Sequence, residues 1–307
     1  MSNIFAEFVY ILITVFWQIL TAIISCFIPA SRKDVSNEIV LITGAGSGLG
    51  RLMALRFASL GSTVVCVDIN TQANESTANQ IKSEDGKAFA FTCDCSSRED
   101  IYRVAEDIKA SVGDVTILVN NAGIVSGKKF MDCSDGLIEK TFEVNTLAHY
   151  WTTKAFLPAM FEKNSGHIVS IASSAGLFGV TGLCDYCSSK FGAYGFNESL
   201  QMELAAAGKN GIATTVVCPF FINTGMFDGV QTRFPLLLPI LEPDYAVNKI
   251  MSAILSNQRV LLMPRILYLL LILKSFLPQV TYITLSDFFG ASNTMDHFKG
   301  RAGKKSD

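Results

Sequence analysis

The segment Glu38-Ile39-Val40-Leu41-Ile42 runs straight into Thr43-Gly44-Ala45-Gly46-Ser47-Gly48-Leu49-Gly50, and a helical pattern takes over across 49–60. Strand, glycine turn and helix in that order constrain the chain more than any other feature. Glycines permit a tight turn and a close backbone approach, so a pyrophosphate can rest on the helix N-terminus. The next apolar run, Thr63-Val64-Val65-Cys66-Val67, ends at Asp68. A carboxylate about twenty residues on is placed to bind a ribose 2′-hydroxyl; capping of the following helix is the other use of Asp68. As a ribose ligand Asp68 repels a 2′-phosphate, and Ser47, Ile69 and Asn70 bring no cation to hold one. The pattern therefore favours NAD over NADP.

Further apolar runs at 87–92, 117–120, 167–171, 213–218 and 259–263 alternate with longer helical patterns. Seven strands so spaced predict an α/β chain with a Rossmann-type, doubly wound parallel sheet. With 307 residues, half of them hydrophobic, the chain can bury a large core, and a net charge of -2 gives no reason to propose nucleic acid. No internal repeat or low-complexity stretch is visible.

Tyr186 and Lys190 stand four apart in a stretch, 185–195, that reads as helical, which puts both on one face. A phenol with a pKa of about 10 needs a nearby cation to act as a base at neutral pH. Ser173, just past the run at 167–171, can donate a hydrogen bond to a substrate oxygen on which charge develops. By itself a Tyr and a Lys at this spacing are an ordinary helix face. Joined to the glycine turn and Ser173, they describe a nicotinamide-dependent hydride-transfer site.

The ordered set comprises the TGAGSGLG turn, Asp68, Asp94, Asn120-Asn121-Ala122-Gly123, Asn145, Ser173 and Tyr186-Cys187-Ser188-Ser189-Lys190. It resembles the short-chain dehydrogenase/reductases of the classical type over residues 39–264. More narrowly, Asp68-Ile69-Asn70, Thr92-Cys93-Asp94-Cys95 and Thr153-Lys154-Ala155-Phe156-Leu157-Pro158 are similar to the membrane-bound epidermal retinol dehydrogenases and to the related 17β-hydroxysteroid dehydrogenases. The resemblance implies a catalytic tetrad of Asn145, Ser173, Tyr186 and Lys190. Tyr186 would be the general acid or base and Ser173 would orient the substrate oxygen. Lys190 would lower the tyrosine pKa and bind the nicotinamide ribose, and Asn145 would hold a water that relays protons from Lys190. The cofactor set it implies is Gly44, Ser47, Gly48, Leu49, Gly50, Asp68, Asp94 on the adenine, Asn121, Tyr186, Lys190, and Thr224 on the carboxamide. A homodimer through the helices carrying Asn145 and Tyr186 is also implied. One departure stands out: many members have glycine after the proline ending the sixth strand, and this chain has Pro219-Phe220.

After Pro219 the sequence reads Phe220-Phe221-Ile222-Asn223-Thr224-Gly225-Met226-Phe227. Side chains of this kind suit a lipophilic alcohol or aldehyde, with Phe220, Phe221 and Met226 beside Ser173 as substrate contacts; packing of the loop is the plainer use. Residues 8–30 carry no charge, enough to cross a hydrocarbon core that takes about 20 helical residues, and Arg32 and Lys33 follow directly. The expected organisation is an anchor with its basic flank over 1–33, a dinucleotide-binding catalytic domain over 37–265, and an apolar segment with a polar tail over 266–307. By the positive-inside rule the domain faces the cytosol, on endoplasmic reticulum or, through a hairpin turning at Pro29, on a lipid droplet. The stretch 266–273 is too short to span; membrane interface, substrate entrance and core helix all remain open for it.

Cys93 and Cys95 are too close for a disulfide framework or a zinc set, and His149, His167 and His297 have no metal spacing, so no metal is expected. Asn74-Glu75-Ser76 and Asn197-Glu198-Ser199 match sequons that a cytosolic domain leaves unmodified. The leading expectation is NAD-dependent oxidation of retinol to retinaldehyde. A steroid or long-chain fatty-alcohol dehydrogenase uses the same residues, and a non-catalytic membrane or lipid-droplet scaffold is the reading from another class.

Overall fold

The computed structural model describes residues 4–25 and 31–300. The end of the expected anchor, with Pro29, and the last part of the polar tail lie outside the described residues. The chain divides into two compact units, Met1–Lys33 and Asp34–Asp307.

In the first unit, helix α1 (Ile4–Ser25) has Glu7 in its opening turn, carries no other charge and is mostly apolar. Over Ile4–Thr21 none of it is buried, and by length and composition it is sufficient to cross a membrane.

The second unit is built on seven parallel strands: β1 (Ile39–Thr43), β2 (Thr63–Asp68), β3 (Lys87–Thr92), β4 (Ile117–Asn120), β5 (Gly166–Ile171), β6 (Ile212–Pro219) and β7 (Val260–Met263). Their order across the sheet is β3-β2-β1-β4-β5-β6-β7. Between and after them run α2 (Gly48–Ser59), α3 (Thr71–Ser83), α4 (Arg98–Ser111), α5 (Asp135–Phe142), α6 (Ala148–Lys163), α7 (Cys184–Ala206), α8 (Pro243–Leu255), α9 (Ile266–Phe276) and α10 (Gln279–Phe288). The expected doubly wound α/β sheet is therefore present.

Sheet and helices explain each other. The central strands are buried on both faces, as in β4, all of whose residues are buried. That is why they read as continuous apolar runs and not as alternation. Met53 and Phe57 of α2, Ile81 of α3 and Ile250 and Ile254 of α8 pack on one face. Ile101 and Ile108 of α4, Phe156 and Met160 of α6 and Leu204 of α7 pack on the other. Short polar caps begin the helices beside the cleft: Asn70 accepts the Ala73 N–H at the start of α3, and Ser97 accepts that of Asp100 at the start of α4.

At the far edge, α9 covers 266–276 and buries Leu267, while Leu269 and Ile272 stay more than half exposed. The apolar stretch is thus a surface helix with one buried seam.

Candidate active site

The strand order reverses between β1 and β4, whose successors lead away on opposite sides. That reversal opens a crevice at the carboxyl ends of the strands. The glycine loop leaves β1 at its mouth. Gly44 has φ +69°, and a Cβ on Gly50 would stand 2.0 Å from the Gly44 carbonyl oxygen, so neither position takes a side chain without displacing backbone.

A cleft of about 380 Å³ starts here, with Gly44, Gly46, Ser47 and Leu49 in its wall. Gly48 and Gly50 shape the turn and the start of α2 without lining it. Asp68 hangs over the loop, its carboxylate accepting the N–H groups of Gly46 and Asn70, both at 2.9 Å. Helix α3 takes its cap from Asn70, which leaves the Asp68 carboxylate at the cleft. Asp94 also lines it. Burial alone would raise the Asp94 carboxyl, but hydrogen bonds from Ser96 and the Lys140 ammonium lower it below its ordinary value. Asn121 ties β4 to the loop: its amide donates to the Thr43 carbonyl at 2.8 Å, and its N–H reaches the Thr43 hydroxyl at 2.9 Å.

Ser173, Tyr186 and Lys190 meet at the other end of the cleft, all buried, with Thr224 and Met226 also in the wall. Ser173 follows β5; its hydroxyl accepts the Ala175 N–H at 3.1 Å and donates to the Pro219 carbonyl at 3.5 Å. Tyr186 and Lys190 lie one turn apart in α7, and the Lys190 ammonium sits 5.8 Å from the tyrosine ring centre while donating to the Ile171 carbonyl at 2.9 Å. Burial pushes the Tyr186 phenol well above its ordinary value, against a hydrogen bond with the Ser173 hydroxyl. The same burial pushes Lys190 down to about 8.

Asn145 stands behind this pair. It lies in a π turn, Glu143–Leu147, between α5 and α6. Its carboxamide oxygen accepts the Ile124 N–H at 2.8 Å, and its nitrogen donates to the Ile124 carbonyl and to the Ser189 hydroxyl. Ser189 in turn donates to the Tyr186 carbonyl at 2.8 Å. Asn145 is thereby joined to the tyrosine's helix through one hydroxyl.

Of the expected substrate contacts, Phe220 and Met226 line the cleft, whereas Phe221 does not. Sequence reasoning left out Gly46, Lys140 and Ser189 as site residues, and gave Gly123 only within the Asn120 to Gly123 segment as a support for the cofactor and the sheet. A Cβ on Gly123 would stand 3.3 Å from the Asn145 carboxamide oxygen and 3.5 Å from the Lys190 nitrogen. Its nearness to Lys190 and Asn145 in particular is set by the fold and carries no local signal. Phe227 was also left out, and its ring meets Tyr186 edge-on at 5.6 Å.

The residues present fit a nicotinamide dinucleotide. A backbone cradle lies at a helix N-terminus, Asp68 offers a carboxylate for ribose hydroxyls, and Gly123 leaves room beside the Lys190 ammonium. A short chain dehydrogenase family model matches residues 38–233. The chain belongs to this family.

It is an oxidoreductase acting on CH–OH groups. The dehydrogenase is 56% identical over 283 residues to epidermal retinol dehydrogenase 2 of Homo sapiens, with 92% of each chain covered. It is 52% identical over 272 residues to short-chain dehydrogenase/reductase family 16C member 6 of Bos taurus, covering 88% of this chain and 86% of that one. Among solved structures, it is similar to a 7α-hydroxysteroid dehydrogenase complexed with NADH and 7-oxo glycochenodeoxycholic acid. That match has a TM-score of 0.68 and 26% identity, and covers 75% of this chain and 93% of its relative.

Proposed function

We propose that this dehydrogenase oxidises a membrane-dissolved lipophilic alcohol, retinol first, to the aldehyde with NAD as the acceptor. One observation carries the reading: Tyr186, Lys190 and Ser173 converge in a buried cleft end, and the other end holds Asp68, where the one cation among the described lining residues, Lys140, is paired with Asp94 at 3.3 Å. When bound, the nicotinamide supplies the acceptor for hydride from the carbinol carbon. Tyr186 would take the hydroxyl proton as its phenolate, the form that burial by itself disfavours. The Lys190 ammonium favours that phenolate, and the Ser173 hydroxyl donates to the substrate oxygen as it becomes a carbonyl. Asp68 binds the adenosine ribose and repels a 2′-phosphate. Asn145, through Ser189 and Ile124, holds the backbone around the Tyr186 turn.

Retinol is put first because close relatives carry that activity in their names. A steroid alcohol is the second reading, favoured by the likeness to the 7α-hydroxysteroid dehydrogenase. Helix α1 supports anchoring in a membrane, where such alcohols dissolve, with the domain on the cytosolic side of endoplasmic reticulum or lipid droplet.

The test is cofactor reduction by detergent-solubilised protein offered all-trans-retinol, a 17β-hydroxysteroid and a long-chain alcohol, each with NAD and with NADP. Retinol with NAD is the expected best pair, and Tyr186→Phe lowers its kcat by about 10²–10⁴ while leaving NAD affinity intact. Near wild-type turnover in a folded Tyr186→Phe preparation overturns the mechanism. Turnover confined to NADP overturns the role given to Asp68.

A further inference from the structure

A second cavity, of about 350 Å³, lies between the segment after Pro219 and the α9–α10 pair. Phe178, Phe220, Phe221 and Leu238 form one side of it, and Leu267 and Leu270 the other. Among the described residues Lys274 is its one charged lining residue, and that ammonium is already engaged. It donates to the Leu177 carbonyl and sits 5.5, 5.2 and 5.6 Å from the ring centres of Phe178, Phe191 and Tyr282. The hydroxyls of Ser174, Thr232, Ser286 and Thr294 are the other polar side chains there besides Tyr282, and most of the wall is hydrocarbon and aromatic surface. Such a space takes apolar chain and rejects unpaired polar groups.

Phe220 is the one residue, among those described, that lines both this cavity and the cleft. Ser173 lines the cleft and its neighbour Ser174 the second cavity. Between the two runs a file of edge-to-face rings: Tyr186 to Phe227 at 5.6 Å, Phe227 to Phe221 at 5.0 Å, and Phe221 to Phe220 at 4.7 Å. The Phe220 N–H donates to the Met263 carbonyl at 2.7 Å, so its backbone is held and the half-buried ring is the part free to turn. On the outer side, Leu269 and Ile272 of α9 and Ile283 of α10 are exposed, an apolar approach to the cavity.

We propose that this second cavity receives the hydrocarbon chain of the alcohol while its carbinol carbon stands at Tyr186, and that the Phe220 ring is the partition the chain displaces. The inference rests on the reading of the cleft as a site for a lipophilic alcohol. It assigns to α9 and α10 a direct part in selecting that alcohol by length.

The experiment measures kcat/KM for straight-chain primary alcohols from butanol to octadecanol, using the full chain in detergent. In the wild type kcat/KM climbs by about fourfold per methylene, the worth of one buried CH₂, and then levels once the cavity is full. Leu270→Trp, which fills the cavity, moves the levelling point to shorter alcohols and lowers octadecanol kcat/KM by at least about tenfold. Butanol is unchanged. Leu270→Ala, which enlarges the cavity, moves the levelling point the other way, so a misfolded tryptophan variant does not end the test. Profiles identical in all three proteins, or equal losses on butanol and octadecanol in both variants, overturn the proposal.

Should no alcohol be turned over by the wild type, the proposed function fails, and the cavity is judged by direct binding of the fluorescent polyene cis-parinaryl alcohol. Affinity about tenfold weaker in Leu270→Trp supports the cavity as the chain site, and equal affinity in the two proteins overturns it.

Discussion

Lys190 is a charged group in a place that disfavours charge. It is buried, its ammonium meets one carbonyl, and burial holds its pKa near 8 instead of the ordinary 10.5. The folded protein therefore releases this proton near pH 8 while the unfolded chain keeps it to about 10.5. Between those values the unfolded state binds more protons, so the Lys190 contribution makes the unfolding free energy rise with pH. Below pH 8 both states are protonated, and the cost of the buried charge is carried in full. Lys190→Met removes that cost together with one hydrogen bond. The variant is expected to be about 2 kcal/mol more stable at pH 7, to lose the rise between pH 8 and 10.5, and to lose turnover. Denaturant unfolding at several pH values checks this, and a wild-type slope in the variant excludes Lys190 as its source. Tyr186 works in the opposite sense: its raised pKa keeps the folded phenol protonated after the unfolded one ionises, so its contribution falls above pH 10.

At the scale of elements, the glycine loop turns backbone crowding into binding geometry. A Cβ on Gly50 would meet the Gly44 carbonyl oxygen at 2.0 Å and the Asn121 amide at 2.7 Å. Gly50→Ala must push α2 away from β1 or break the Asn121 contact that joins β4 to the loop. The expected result is a loss of about 2 kcal/mol in stability and NAD affinity weaker by about tenfold or more, read by thermal unfolding and by cofactor titration. Unchanged affinity in a folded variant would remove the loop from the cofactor site. This loop was legible because its signal is local: an apolar run, glycines and a helical period in fixed order. β3 and β4 were expected at the residues where they stand, and the strand ends that moved did so by one residue, as where Thr43 joins β1 and Pro219 closes β6. The π turn around Asn145 was not legible, since Glu143 to Leu147 read as ordinary helix and the irregularity comes from bonds to Ile124 and Ser189 far along the chain. Nor was α10 predicted. Its apolar residues, including Val280, Ile283 and Phe288, are mostly exposed, so no core-facing period marks it.

At the scale of the molecule, the second cavity joins residues near 178, 220, 238 and 270, a convergence that no local pattern records. Helix α1 is different, because length and apolarity alone mark it as sufficient to span. A separate compact unit beginning at Asp34 carries every site residue named above, and Lys33 ends the other unit. The proposal divides the labour accordingly: α1 would hold the protein in lipid, while the sheet, cleft and second cavity would supply the chemistry. Deleting residues 1–33 is therefore expected to leave the thermal midpoint within about 2 °C of the full chain, a change of under 1 kcal/mol for a domain of this size. Turnover of butanol should be kept, and resistance to alkaline extraction from membranes should be lost. Octadecanol presented in vesicles should be oxidised more slowly by the truncated protein and at an equal rate when presented in detergent, because only the vesicle assay depends on being held at lipid. Equal retention in the membrane pellet by both proteins would show that the anchor lies elsewhere, and the exposed apolar faces of α9 and α10 would then be the surface to alter next.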